Sequence, residues 1–388
     1  MFKILPLCLG AFALGMDAYI MAGLLPDIGR SFDVPAAVAG QTVSVFTLCY
    51  AVSAPLLGAA TAGKPARIVL GTALVIFVLA NALSAVAPSY ALLLLSRAVA
   101  GIGAGLFSPA AFSAAASLVP PERRGRALGI VIGGLAMGTA AGVPCGLTIA
   151  DHMSWRTTLW LIAALGGLAL AAIVLRLPSI ATSSAPLLRA RLAILADRRV
   201  AVTILVSFMT SAASIGLYTY AAALLIAWAD AADPLPFLWA WSLGGLVGIY
   251  LCGSLIDATG SAEWVLAAVL VALTAVFLLL YLIPFDRTLI LACFAAWGAA
   301  AWSPQTPQQH RLISLHPDKG SIGVALQSSA HYSGISAGSA LGGLALAGGV
   351  PLMRLPLLAA VLVGLALIGQ IGIALRIRPT PARVPSTP

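Results

Sequence analysis

Residues 3–25 read KILPLCLGAFALGMDAYIMAGLL, with one base at the edge and one acid, Asp17, deep inside an apolar run. At about 1.5 Å per residue such a helix crosses the ~30 Å hydrocarbon core of a bilayer. Lys3 ahead of an apolar stretch resembles a secretory signal. The run has no small-x-small cleavage site and carries Asp17, so it is read as a retained helix. Eleven more runs of similar length follow, at 37–62, 66–87, 90–118, 126–150, 157–177, 200–228, 234–256, 264–284, 288–306, 321–347 and 353–375. The chain of 388 residues is 61% hydrophobic and 9% charged, against about 25% charged in soluble domains. Peptide groups in lipid must pair within their own segment, so the spans are expected to be helices. The alternation of a membrane β-barrel is missing.

Away from their edges these runs hold only two charges, Asp17 and Arg97. A charge at membrane depth costs several kcal/mol and points to function and a partner. Each lies about eight positions from the same membrane face, or roughly 12 Å deep. Burial and a neighbouring cation act in opposite directions on a carboxylate's proton affinity. The two are therefore candidates for handling a proton, with substrate contact as a second role; the structural alternative is a fixed ion pair.

With the N-terminus inside, sixteen of the 21 Lys and Arg residues fall in inner segments and four in outer loops. That asymmetry puts both termini in the cytoplasm. The net charge of +9 is then a topology signal, and its scatter over short loops argues against nucleic-acid binding. Cys8, Cys49, Cys145, Cys252 and Cys293 all lie within spans without a CxxC, so neither disulfides nor metal ligation are expected, and no cofactor is implied.

The chain repeats itself. Gly138, Gly142 and Gly146 recur 196 positions on as Gly334, Gly338 and Gly342. Ser117-Leu118-Val119-Pro120 recurs 197 on as Ser314-Leu315-His316-Pro317, and Gly58 recurs 195 on as Gly253. Two six-helix halves are expected: 1–178 and 200–376, joined by a polar cytoplasmic loop at 179–199, with a tail at 377–388. That layout suits transporters whose halves rock around a midplane site.

Asp17 with Pro26-Asp27-Ile28, Arg97 ahead of Gly101, Gly103 and Gly105, the series Gly134, Gly138, Gly142, Pro144 and Gly146, and Trp155-Arg156 together resemble the major facilitator superfamily. More narrowly the chain is similar to its drug and metabolite:proton antiporters, near the arabinose-efflux and chloramphenicol-efflux permeases. The resemblance covers nearly the whole chain. It implies an all-α membrane protein of twelve transmembrane helices in two pseudo-symmetric halves, and places helices one and four along a central cavity. The implied function is proton-coupled efflux of a drug, sugar or nucleoside-like compound across the bacterial inner membrane, by a monomer. An importer is the alternative, and a sensor or intramembrane enzyme a distant one. One departure stands out. The loop after helix two usually carries an acid in Gly-x-x-x-Asp-Arg; here Gly58 is followed by Ala62, Lys64 and Arg67. The second copy, from Gly253, keeps Asp257 without basic partners, so the gate is expected to differ in detail.

The remaining motifs divide into decoys and candidates. Gly101, Gly103 and Gly105 follow no strand, which rules against a phosphate loop. Gly334-x-Ser336-x-Gly338 matches a hydrolase pattern, but His331 sits five residues from Ser336 on one helix and cannot serve as its base. Tyr218, Tyr220, Gln327 and His331 are candidate substrate contacts, and Gln305, Gln308 and Gln309 are read as ending span ten. Trp228, Trp239, Trp241 and Trp264 are read as interfacial anchors. The fifth-helix glycines and Pro144 are read as a hinge and as a seam between the halves.

Overall fold

The computed structural model describes residues 3–61, 63–120, 123–178, 193–229, 234–282, 286–316 and 320–375. Ala62, most of the expected central loop and the tail lie outside them. All regular elements among the described residues are helices. The first half holds α1 (Leu5–Phe32), α2 (Ala36–Ala60), α3 (Ala66–Ala85), α4 (Tyr90–Ser117), α5 (Arg124–His152) and α6 (Trp155–Arg176). The second holds α7 (Arg198–Tyr218, followed by Ala221–Ala229), α8 (Leu235–Thr259), α9 (Ala262–Leu282), α10 (Arg287–Trp302, then Gln305–Leu315), α11 (Gly320–Ala347) and α12 (Leu355–Ala374). These fall on the twelve expected spans. Among the described residues ten helices are long and apolar enough to cross a membrane. The other two, α10 and α11, are broken or polar for a reason given below.

Helix starts follow from local chemistry. Ser89 and Asp286 each accept the amide three residues on, from Leu92 at 3.3 Å and Leu289 at 2.7 Å. Asp197 caps α7 by accepting Arg199 N–H at 2.8 Å. Gly260 ends α8 at φ 64°, a conformation that favours glycine.

The glycine series packs differently from expectation. A Cβ on Gly134 would strike the Cys8 carbonyl, and one on Gly138 the Phe12 carbonyl, both on α1. Gly142 faces the Met16 side chain at 3.1 Å, also on α1. The row is therefore a seam inside the first half, between α5 and α1, and not a seam between halves. Gly334 and Gly338 meet α7 in the same manner, at Phe208 and Ala212. The internal repeat thus reappears as one packing device used twice: small residues let two backbones touch. Gly138–Gly142 forms a π-helical turn directly before Pro144. The wider turn accommodates a residue that has no N–H to give.

The two halves meet mainly away from the face that carries the chain ends. Ser339 Oγ donates to the Gly40 carbonyl at 3.0 Å, and Ser336 Oγ to the Ser44 carbonyl at 2.8 Å. Tyr220 Oη donates to the Ser339 carbonyl at 2.6 Å beside this contact. Tyr50 and Tyr332 lie ring on ring, with centroids 3.7 Å apart. Hydroxyls satisfied by backbone carbonyls let α2 and α11 close this end without a charged pair.

Candidate functional site

The structure brings Asp17 and Arg97 together. Arg97 Nη1 donates to Asp17 Oδ1 at 2.8 Å, and both side chains are at most 1% exposed. Arg97 Nη2 reaches the Asp17 carbonyl at 3.5 Å, and its guanidinium lies 4.5 Å from the centre of the Phe46 ring. Asn81 on α3 completes the group. It donates to Asp17 Oδ2 at 3.4 Å and accepts from Arg97 at 3.2 Å. Asn81 was missed in the sequence, although a lone amide within an apolar span is itself a signal of an interhelical partner. The group sits among α1, α2, α3 and α4, closed from solvent rather than open to a cavity. Among the described residues the buried charged side chains are these two and Arg311.

Tyr19, two residues past Asp17, points the other way. Its ring lies 5.4 Å from that of Trp302 and 6.5 Å from that of Trp241, both in the second half. Its hydroxyl hydrogen-bonds His331 Nε2 on α11 at 3.3 Å. Trp241 is fully buried and stacks on Tyr218 at 4.0 Å, which corrects its reading as an interfacial anchor. Trp264 is 52% exposed near the start of α9. The reason is rotational: Trp241 lies near a span end, but its helix face turns toward the other half. A small apolar recess lies beside it, between α5, α8 and Trp302.

The expected end of span ten is also corrected. α10 breaks at Ser303 and Pro304 and resumes as Gln305–Leu315. Gln305 therefore sits about ten residues, or roughly 15 Å, from the helix end. Irregular backbone at such depth is tolerated where it lies inside protein. Ser303 Oγ donates to the carbonyls of Gly248 and Ala299, at 3.0 and 2.7 Å, and so holds the break. His331 Nδ1 is 2.7 Å from Ser211 Oγ and 3.0 Å from Gln305 Nε2. Gln327 Nε2 lies 2.9 Å from Gln305 Oε1 and 3.0 Å from Gln308 Oε1. Of the four candidate contacts, Gln327 and His331 thus share one cluster. Tyr218 belongs to the tryptophan stack, and Tyr220 to the closed end.

The loop residues lie apart from all of this. Lys64, between α2 and α3, Arg67 in the first turn of α3 and Asp257 in the last turn of α8 are all exposed. A Cβ on Gly58 would make ordinary contact with Pro109 at 3.7 Å, and one on Gly253 would meet nothing within 4 Å. Neither glycine is demanded by close packing. No group of three or more His, Cys, Asp or Glu among the described residues could hold a metal ion.

Two like halves of membrane-spanning helices, with a buried ion pair in one and a buried amide cluster in the other, define a transporter-type membrane protein. The chain belongs to the Major Facilitator Superfamily, whose pattern matches residues 7–343. It is 28% identical to the Inner membrane transport protein YdhP of Escherichia coli (strain K12) over 369 residues, 95% of this chain and 94% of that one. It is 30% identical to a Chloramphenicol resistance protein of Streptomyces lividans over 65% of this chain and 66% of that one. Among solved structures it is similar to a bacterial homologue of the human lysosomal transporter Spinster, inward-facing and unoccupied. That match has TM-score 0.78 at 16% identity and covers 98% of both chains. The protein is accordingly a transporter and not an enzyme.

Proposed function

We propose that the protein exports a small organic compound across a bacterial inner membrane in exchange for protons, with Asp17 as the proton carrier. The observation that carries this reading is the Asp17–Arg97 contact at 2.8 Å inside the first half, out of reach of solvent. A buried ion pair is a poor source of stability, because desolvation offsets the attraction. Its presence at membrane depth favours a working role. In the proposed cycle the ionised pair holds the closed arrangement seen at the α2–α11 end. Protonation of Asp17 cancels one charge, loosens Arg97 and Asn81, and lets the halves rock. Asp17, Arg97 and Asn81 thus handle the proton. The name of the Escherichia coli relative supports an inner-membrane location, and that of the Streptomyces lividans relative, a resistance protein, is consistent with outward transport. The excess of basic residues on the face with the chain ends supports that face being cytoplasmic. The π-turn and Pro144 are placed to let α5 bend as the halves move.

Everted membrane vesicles energised by respiration test the reading. An exported compound added outside should dissipate the pH gradient, and Asp17→Asn should abolish the response at normal protein levels. A wild-type response in Asp17→Asn would remove Asp17 from the coupling step.

A further inference from the structure

The break in α10 lies where two prolines fall close together. In an unbroken helix the Ala300 and Ser303 carbonyls would accept from the amides of residues 304 and 307, and both residues are prolines. Two rungs of the ladder are missing, so the joint at Ser303 and Pro304 bends easily. Other groups hold its angle. From α8, Cys252 Sγ donates to the stranded Ser303 carbonyl at 3.4 Å, and the Gly248 carbonyl accepts from Ser303 Oγ at 3.0 Å. Those partners belong to the second half and travel with it.

A further hold comes from the first half. The Tyr19 ring, on α1, packs 5.4 Å from the ring of Trp302, the last residue before the joint. Its hydroxyl bonds His331 Nε2 at 3.3 Å, and the other nitrogen of that imidazole lies 3.0 Å from Nε2 of Gln305, the first residue after the joint. Ser211 Oγ, 2.7 Å from the same nitrogen, keeps the imidazole from turning. One side chain thus grips both sides of the joint, the near side through its ring and the far side through its hydroxyl. A phenylalanine would fill the same seat, so the hydroxyl is what reaches the far side. Asp17 is two residues away on the opposite side of the same helix, in contact with Arg97.

We propose that Tyr19 is a positioning residue: it conveys the state of the Asp17–Arg97 contact to the joint of α10 and so sets the angle of the Gln305–Leu315 piece. The inference rests on the transporter reading and adds the route by which the first half acts on the second. While Asp17 and Arg97 are in contact, α1 is fixed in the roll that seats the phenol, and the joint is clamped. When that contact is lost, α1 is free to roll. The phenol then leaves Trp302 and His331 together, and the Gln305–Leu315 piece swings about the two missing rungs. Both ends of the route bias one two-state element, which is the physical requirement for coupling between groups that do not touch.

A cycle of variants tests this route without cargo and without a proton gradient. Nitroxides at Thr259→Cys, the last residue of α8, and at Ile313→Cys, a half-exposed position on the second piece of α10, read the joint from within the second half. The native cysteines are replaced by serine, which keeps a donor at position 252. Double electron–electron resonance in nanodiscs gives the ratio of the clamped distance to any longer or shorter one. Tyr19→Phe should lower that ratio about fivefold, the value of roughly one hydrogen bond. Asp17→Asn should lower it too. Adding Tyr19→Phe to Asp17→Asn should then change it by less than about twofold, because the clamp is already released. Arg97→Gln breaks the same contact from the other side and should serve equally as the second background, with size-exclusion profiles verifying folding. An unchanged ratio in Tyr19→Phe or in Asp17→Asn, or a Tyr19→Phe effect that persists in full in both backgrounds, overturns the inference and leaves the phenol as packing between the halves. None of these results bears on the proton carrier, which fails only if Asp17→Asn keeps the response of everted vesicles.

Discussion

Gly138 and Gly142 share a helix and a row but meet different obstacles, and this permits a sharp comparison. A Cβ on Gly138 would come within 2.9 Å of the Phe12 carbonyl carbon and 3.0 Å of the Met16 amide nitrogen, with the Phe12 oxygen nearer still. All three are backbone atoms of α1, which move only if the helix moves. Clearing the Phe12 oxygen to ordinary contact requires α1 and α5 to part by about an ångström or more, and this loosens the contacts along the row from Gly134 to Gly146. A Cβ on Gly142 would meet the Met16 Cβ and Cγ at 3.1 and 3.2 Å and the tip of Phe12 at 3.2 Å. The Met16 Cγ and the tip of Phe12 yield by a change of rotamer, and the Met16 Cβ, fixed to its backbone, has to give by only a few tenths of an ångström. Overpacking against rigid neighbours costs about 1–3 kcal/mol. Gly138→Ala should therefore destabilise by that amount, and Gly142→Ala by under about 1 kcal/mol. Gly338, the counterpart of Gly142 in the second half, differs from it by meeting backbone, the Ala212 carbonyl carbon at 2.6 Å, so Gly338→Ala should behave as Gly138→Ala does. Reversible unfolding of purified protein in mixed micelles, followed by circular dichroism, gives the ranking. Equal stability of the Gly138→Ala and Gly142→Ala proteins would refute the packing argument.

Three further outcomes are expected. Arg97→Ala strands a buried carboxylate and should cost about 3–5 kcal/mol in the same unfolding assay, most of which Asp17→Asn should restore when the two are combined; strictly additive effects would show that the contact carries no coupling. Outside the membrane, burial raises the pKa of Asp197, but its bonds from the Arg199 amide and from His316 at 2.9 Å outweigh that and hold its carboxyl below the ordinary 3.8. The stabilisation it gives is then present above 3.8 and lost as pH falls toward the folded value, so unfolding midpoints of wild type and Asp197→Asn should differ at pH 6 and converge below 3.8; a gap independent of pH would contradict the cap. In a background without native cysteines, Thr259→Cys should react with an impermeant thiol reagent only from the cytoplasm and Ser89→Cys only from outside, and reversed labelling would overturn the reading of the basic residues.

The helical architecture was legible because lipid leaves the backbone few choices, so apolar length alone places the helices. The pairing of Asp17 with Arg97 was legible for a related reason: charges in hydrocarbon are scarce, and matched depth leaves few partners. What the sequence hid was rotation about each helix axis. Trp241 lies near a span end in either reading, and only the phase of α8 decides whether it meets lipid or Tyr218. The glycine row announces close packing but not the partner, since α1 and a helix of the other half demand the same small residues. Asn81 carries no charge and so lacked the contrast that exposed Asp17. The break in α10 was hidden by its own effect. Polar Gln305 and Gln308 lower the apolar score as a helix end does, so a helix interrupted inside protein reads as one that has reached water.

Asp17 and Tyr19 are two residues apart on α1, and two residues advance an α-helix by about 200°. The carboxylate consequently faces Arg97 and Asn81 in its own half, while the phenol faces His331, Trp241 and Trp302 in the other. A helix that is stiff over two residues transmits twist between these sides without loss. Any roll of α1 that draws the carboxylate away from the guanidinium also drags the phenol out of its aromatic seat. The first helix is in this sense an axle with a crank on each side, and a rotation imposed on one is felt as a displacement at the other.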